Sequence, residues 1–156
     1  MSNQADFLPP DPPYAERVRD SFSRQGAMAL IGAELSRLGP GECEIRLPYR
    51  PELSQQHGYF HGGIIGTIAD SAGGYAAFTL MPADSSVLTV EYKMNLLAPG
   101  DGEALIARGR VLRSGRSLVV VQVDAYVMKA GGETHCATLL QTLMIMHGKS
   151  DQRQDP

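Results

Sequence analysis

The fold this sequence predicts is an α+β roll, a single curved antiparallel sheet wrapped around one central apolar helix, and three observations predict it. Residues 61–80 run almost without charge, Asp70 alone excepted, which suits a buried helix. Downstream of Pro82 the hydrophobic period switches to two: Leu88, Val90, Tyr92, Met94 and Leu96 alternate with Thr89, Glu91, Lys93 and Asn95, giving a strand with one dry and one wet face. The remaining strand-like segments are separated by short, glycine-bearing loops, and loops that short imply antiparallel pairing.

In chain order, a proline-rich tail reaches residue 13, and Val18 and Phe22 at i, i+4 spacing predict a short amphipathic helix over 14–24. Gly39-Pro40-Gly41 then supplies a turn between strand-like segments 29–37 and 42–48, which predicts a hairpin. Residues 51–60 form a polar connection. The long helix opens on His61-Gly62-Gly63 and stops near Met81-Pro82, because a proline disfavours helix in the residue before it. Strands follow over 87–96, 102–112, 117–128 and 133–146. The organisation predicted is therefore a tail and helical appendage over 1–27, one α+β domain over 28–147 and a polar tail over 148–156. A single sheet leaves its edges open, so long strands such as 117–128 predict a homodimer with continuous pairing.

Composition narrows the class. A chain of 156 residues fits one domain with a sizeable core, and a net charge of -3 without a dense basic block argues against nucleic acid. The first residues lack the basic and apolar regions of a secretory signal, which predicts a cytoplasmic protein. Asp70 near the middle of 61–81, together with five glycines there, argues against a membrane span. Cys43 and Cys136 are too few for a disulfide framework and lack the near spacing of a zinc site. His57 and His61 with Asp70 make a poor metal set, because the glycines after each histidine break a continuous helix, so no metal is expected.

Asp70 needs an explanation of its own. A carboxylate buried ionised and unpaired is costly, so it must reach water, find hydrogen-bond donors or take up a proton. The structural alternative to a working carboxylate is one that bonds a neighbouring strand or a second subunit.

The segment Gln55-Gln56-His57-Gly58-Tyr59-Phe60-His61-Gly62-Gly63, with Asp70 nine residues after His61 and an Ala/Gly-rich continuation, resembles the signature of hotdog-fold acyl-CoA thioesterases. The likeness is greatest to the phenylacetate-pathway and 4-hydroxybenzoyl-CoA thioesterase group and covers about residues 28–147. It implies that the Gly62 N–H and the Gln55 side chain polarise the thioester carbonyl, with Asp70 as general base on water or as nucleophile. The residue chemistry agrees: a helix N-terminus presents unpaired N–H groups and partial positive charge, and glycines at 62 and 63 let a ligand approach that backbone. A desolvated carboxylate further along can activate the attacking oxygen.

The chain mixes two family patterns. Gln55 follows the 4-hydroxybenzoyl type where the phenylacetate type often has Asn, yet the acid is Asp as in the latter. Family members place a Ser or Thr near the acid, which makes Ser85 or Ser86 candidates. His61 orients the turn through its ring or touches substrate. Arg113 and Arg116 are candidates for coenzyme A phosphates, or are two solvated turn arginines. Ala72, Gly73 and Gly74 leave room for an acyl group, whose far end Tyr75, Phe78, Met94 and the opposite subunit would set. The resemblance further implies a homodimer or homotetramer with composite sites, an aryl- or medium-chain acyl-CoA substrate, and no metal or redox cofactor. A non-catalytic acyl-CoA-binding module on the same fold is the competing reading. A hotdog dehydratase is a third, disfavoured because His61 and Asp70 lie at the start and middle of one helix.

Overall fold

Residues 7–153 are described by the structure, a computed structural model; the outer parts of both predicted tails, 1–6 and 154–156, lie outside them. Two short helices, α1 (Tyr14–Ser23) and α2 (Gly26–Ile31), lead into the hairpin β1 (Glu34–Gly39) and β2 (Glu42–Pro48). A single 3₁₀ turn, Pro51–Leu53, precedes the long helix α3 (Gly62–Phe78), and β3 (Ser85–Leu96), β4 (Ala104–Ser114), β5 (Leu118–Lys129) and β6 (Gly132–His147) complete the chain. All strands join one antiparallel sheet in the order β1-β2-β4-β5-β6-β3.

Helix α3 packs on β4, β2, β5 and β3. It is buried on nearly every side, from Ile65, Ile68 and Ala69 to Ala76, Ala77 and Phe78, as its uniformly apolar sequence requires. Ile65 and Ile68 each contribute about 1.5–3 kcal/mol by leaving water. Close approach of sheet and helix depends on Gly109, where a Cβ would lie 2.6 Å from the Ala72 carbonyl oxygen.

Four expectations need correction. The predicted strand over 29–37 begins as helix α2, which Gly32 ends in the left-handed region at φ 79°, so β1 starts only at Glu34. A short apolar run does not distinguish buried helix from strand by period, and the boundary drawn after residue 27 therefore falls inside α2. Helix α3 stops at Phe78 rather than near Pro82. Thr79 Oγ1 donates to the Ala76 carbonyl at 2.7 Å and accepts from the Gly41 N–H at 2.8 Å, and Arg17 donates to the carbonyls of Phe78 and Met81, so the end is satisfied before the proline.

The strand over 117–128 is not an edge, because β5 lies between β4 and β6; the edges are β1 and β3. The even dry-and-wet alternation of β3 also fails. A bulge at Val90, between Thr89 and Glu91, shifts the register by one residue. Before it Thr89 faces α3, and after it Tyr92, Met94 and Leu96 do. Leu88, Val90, Tyr92 and Leu96 stay largely exposed in the single chain.

Candidate active site

The turn before α3 is tightly bonded. Gln55 N–H donates to the Tyr59 carbonyl and Gly58 N–H to the Gln55 carbonyl, each at 2.9 Å. The Gln55 side-chain oxygen accepts from the His57 N–H, which leaves its Nε2 donor without a partner among the described residues. His61 caps α3: its Nδ1 accepts from the Gly63 N–H at 2.9 Å, which ties the ring to the turn. The same bond occupies the Gly63 N–H, whereas that of Gly62 has no partner among the described residues, so of the two glycines expected to meet substrate only Gly62 leaves its N–H open. Gln55 and Gly62 share a cavity of about 490 Å³ with Phe60, Ile65, Leu96 and Pro99.

Asp70 opens on a different cavity, of about 640 Å³. It has found donors: Thr89 Oγ1 donates to Oδ1 at 2.8 Å, and the fully buried Gln141 Nε2 donates to the same oxygen and to the Asp70 carbonyl at 3.2 Å. The other carboxylate oxygen, Oδ2, has no protein partner among the described residues. Both donors hold the carboxylate in one orientation. Gln141 fits there only because position 73 is glycine, since a Cβ would lie 1.9 Å from its Oε1.

Thr89 and Gln141 were not anticipated from the sequence. The hydroxyl beside the acid is Thr89, not Ser85 or Ser86: Ser85 is buried with its Oγ donating to the Pro82 carbonyl at 2.6 Å, and Ser86 lines neither cavity. The signal for Gln141 was present, an amide where Leu139, Leu143 and Ile145 mark the inward positions of β6. That for Thr89 was hidden by the Val90 bulge.

Around Asp70 the cavity wall combines Gly74, Val87 and Leu143 with a polar group of Ser71, Gln25, Tyr75 and Ser21. Burial pushes the Tyr75 phenol above its ordinary value, keeping it a neutral hydroxyl. Gly74 and Tyr75 line this space, whereas Ala72, Gly73 and Phe78 are buried in the core and Met94 lies against Gly66. Arg113 and Arg116 are exposed at the β4–β5 turn and line neither cavity, with side chains unpaired among the described residues.

Gly62 and Asp70 lie eight residues apart on α3, a rise of about 12 Å. The two cavities have no lining residue in common. Within one chain, therefore, Gln55 and Gly62 open on one cavity and the Asp70 carboxylate on another.

A sheet curved around one helix, with an open N–H at the helix start and a held carboxylate further along, is the architecture of a hotdog fold. A sequence profile of the thioesterase superfamily matches residues 57–134, from the turn before α3 into β6; the chain belongs to this superfamily and is a thioester hydrolase. The crystal structure of a thioesterase family protein from Silicibacter pomeroyi superposes with a TM-score of 0.85 at 48% identity, covering 86% of this chain and 99% of that one. A provisionally named esterase of Saccharolobus solfataricus is 29% identical over 137 residues, 88% of this chain and 89% of its own. A 1,4-dihydroxy-2-naphthoyl-CoA hydrolase of Listeria monocytogenes is 26% identical over 63% of this chain and 80% of its own. Among the described residues no helix is long and apolar enough to cross a membrane.

Proposed function

We propose that the protein is a homodimeric acyl-CoA thioesterase for aryl- or medium-chain acyl groups, in which Asp70 of one subunit works with Gln55 and Gly62 of the other. The observation that carries this reading is the separation of the two half-sites along α3. Antiparallel pairing of two β3 edges would set two α3 helices side by side, bringing the donor end of each toward the carboxylate of its neighbour. The exposed Leu88, Val90, Tyr92 and Leu96 on that edge support it.

In this arrangement the thioester carbonyl oxygen accepts from the Gly62 N–H and Gln55 Nε2, which stabilise the charge that develops on it. Asp70 Oδ2 takes the proton of an attacking water, the tetrahedral intermediate expels the coenzyme A thiolate, and the proton passes to the departing sulfur. The alternative route, in which Oδ2 itself attacks to form an anhydride, is separated by one turnover in ¹⁸O-water. General-base catalysis labels the product acid, whereas hydrolysis of the anhydride at its aspartyl carbon labels Asp70. Arg113 and Arg116 remain candidates for the coenzyme A phosphates, and we place the activity in the cytoplasm.

Free-thiol release from a panel of aryl- and medium-chain acyl-CoAs tests the activity, with Asp70→Asn losing about 10²–10⁴-fold while still folded. Binding without thiol release by the wild type would instead support the non-catalytic module. Mixing Asp70→Asn with Gln55→Ala subunits tests the composite site. Random exchange makes half the dimers mixed, each with one intact site, so about a quarter of wild-type activity returns. No recovery after verified exchange would place each site within one chain.

A further inference from the structure

The loop that carries Gln55 is a closed hairpin. Ser54 and Phe60 form an antiparallel bridge at its neck. Two bonds of 2.9 Å tie the neck to the body, from the Phe60 N–H to the Gly100 carbonyl and from the His61 N–H to the Leu53 carbonyl. The tip, residues 56–58, turns through Gly58, which lies in the left-handed region at φ 81°. The Gln55 amide belongs to the tip rather than to the neck, because its Oε1 accepts from the His57 N–H. Any displacement of the tip therefore carries Nε2 with it.

Among the described residues the tip takes one hydrogen bond from outside the loop. Tyr49, just beyond the end of β2, donates its hydroxyl proton to the Gly58 carbonyl at 2.9 Å. Tyr49 is itself fixed below that hydroxyl: its N–H donates to the Glu103 carbonyl at 2.8 Å, and its ring meets the buried Phe60 edge to face at 5.2 Å. The side chain thus forms a strut from the sheet to the tip.

On the reading of Gln55 given above, we propose that Tyr49 is a positioning residue that sets the Gln55 amide for the thioester carbonyl. A donor to a developing oxyanion acts through its placement, because a group already in position needs no reorientation as the charge develops. Tyr49 lines neither cavity and acts only through the loop. It serves the carbonyl side of the reaction, as Thr89 and Gln141 serve the acid.

The test is Tyr49→Phe, which keeps the ring against Phe60 and removes only the hydroxyl. Its kcat for thiol release is expected to fall about three- to tenfold, the contribution of one neutral hydrogen bond, with KM and melting temperature unchanged. In a Gln55→Ala background the same substitution should cost nothing further, since the side chain through which it acts is gone. An unchanged kcat, a change in KM alone, or an equal fall in both backgrounds overturns the proposal. Amide hydrogen exchange at His57 gives a readout independent of turnover: it should quicken in Tyr49→Phe as the bond to Gln55 loosens, and an unchanged rate overturns the strut. A wild type that releases no thiol, or full activity in Gln55→Ala, defeats the reading of Gln55 instead, and exchange at His57 then decides whether Tyr49 holds its amide.

Discussion

Asp70 carries the chemistry proposed here, but the two side chains behind it decide how it is presented. Thr89 and Gln141 both donate to Oδ1, leaving Oδ2 without a partner among the described residues. Thr89→Val removes one charge-assisted bond, so kcat should fall about 10- to 100-fold while Thr89→Ser recovers most of it, measured by thiol release. The two cysteines behave in the opposite way. Burial pushes the Cys43 thiol up to about 12 and the Cys136 thiol up to about 11, so neither should react with a disulfide reagent at pH 8 until the chain unfolds, when two thiols appear. Both values lie above the ordinary 9.0, so the native state holds protons that the unfolded chain releases. Their stabilising effect is complete below pH 9 and declines as the pH rises through 11 and 12, which urea melts across that range would record.

Helix α3 shows how adjacent glycines serve different ends. Gly73 faces Gln141 and Val123, and a Cβ there would lie 1.9 Å from Gln141 Oε1 and 3.0 Å from Val123. Gly74 faces the cavity, with Leu143 at an ordinary 3.7 Å from its notional Cβ. Gly73→Ala should lower both activity and melting temperature by displacing the amide that holds Asp70. Gly74→Ala should add about 0.5–1 kcal/mol of stability through helix propensity, as thermal melts will show. A larger side chain at 74 should selectively slow bulky acyl-CoAs. Strand β3 teaches a related lesson about register. One extra residue at Val90 places Thr89 against the acid and Tyr92, Met94 and Leu96 against the start of the same helix, which uninterrupted alternation forbids.

At the scale of the whole molecule, the sheet has two open edges, and β3 is the one that carries large exposed apolar side chains beside the helix. Val90→Glu places charge on that edge and is expected to yield a monomer by sedimentation velocity, folded but without measurable thioesterase activity. A dimer that persists with full activity would move the subunit contact elsewhere. The helices before the sheet are part of the domain rather than an ornament: Val18 and Met28 are buried in its core, and Phe22 meets Tyr75 edge to face at 5.7 Å. Their position is what brings Gln25 to the Asp70 cavity.

By itself the sequence determined the roll, the central helix, the hairpin-linked strands, and the positions of Gln55, Gly62 and Asp70. These are local signals, carried by hydrophobic period, turn glycines and one carboxylate in an apolar run. The tertiary structure decided which groups face the acid, which strand is an edge, and that the donors and the carboxylate of one chain lie in separate cavities. Those facts depend on a one-residue bulge and on contacts between residues distant in sequence, such as Asp70 with Gln141 and Gln25 with Tyr75. Periodicity reads a segment against its own neighbours, and partners of that kind are set only when the sheet closes around the helix.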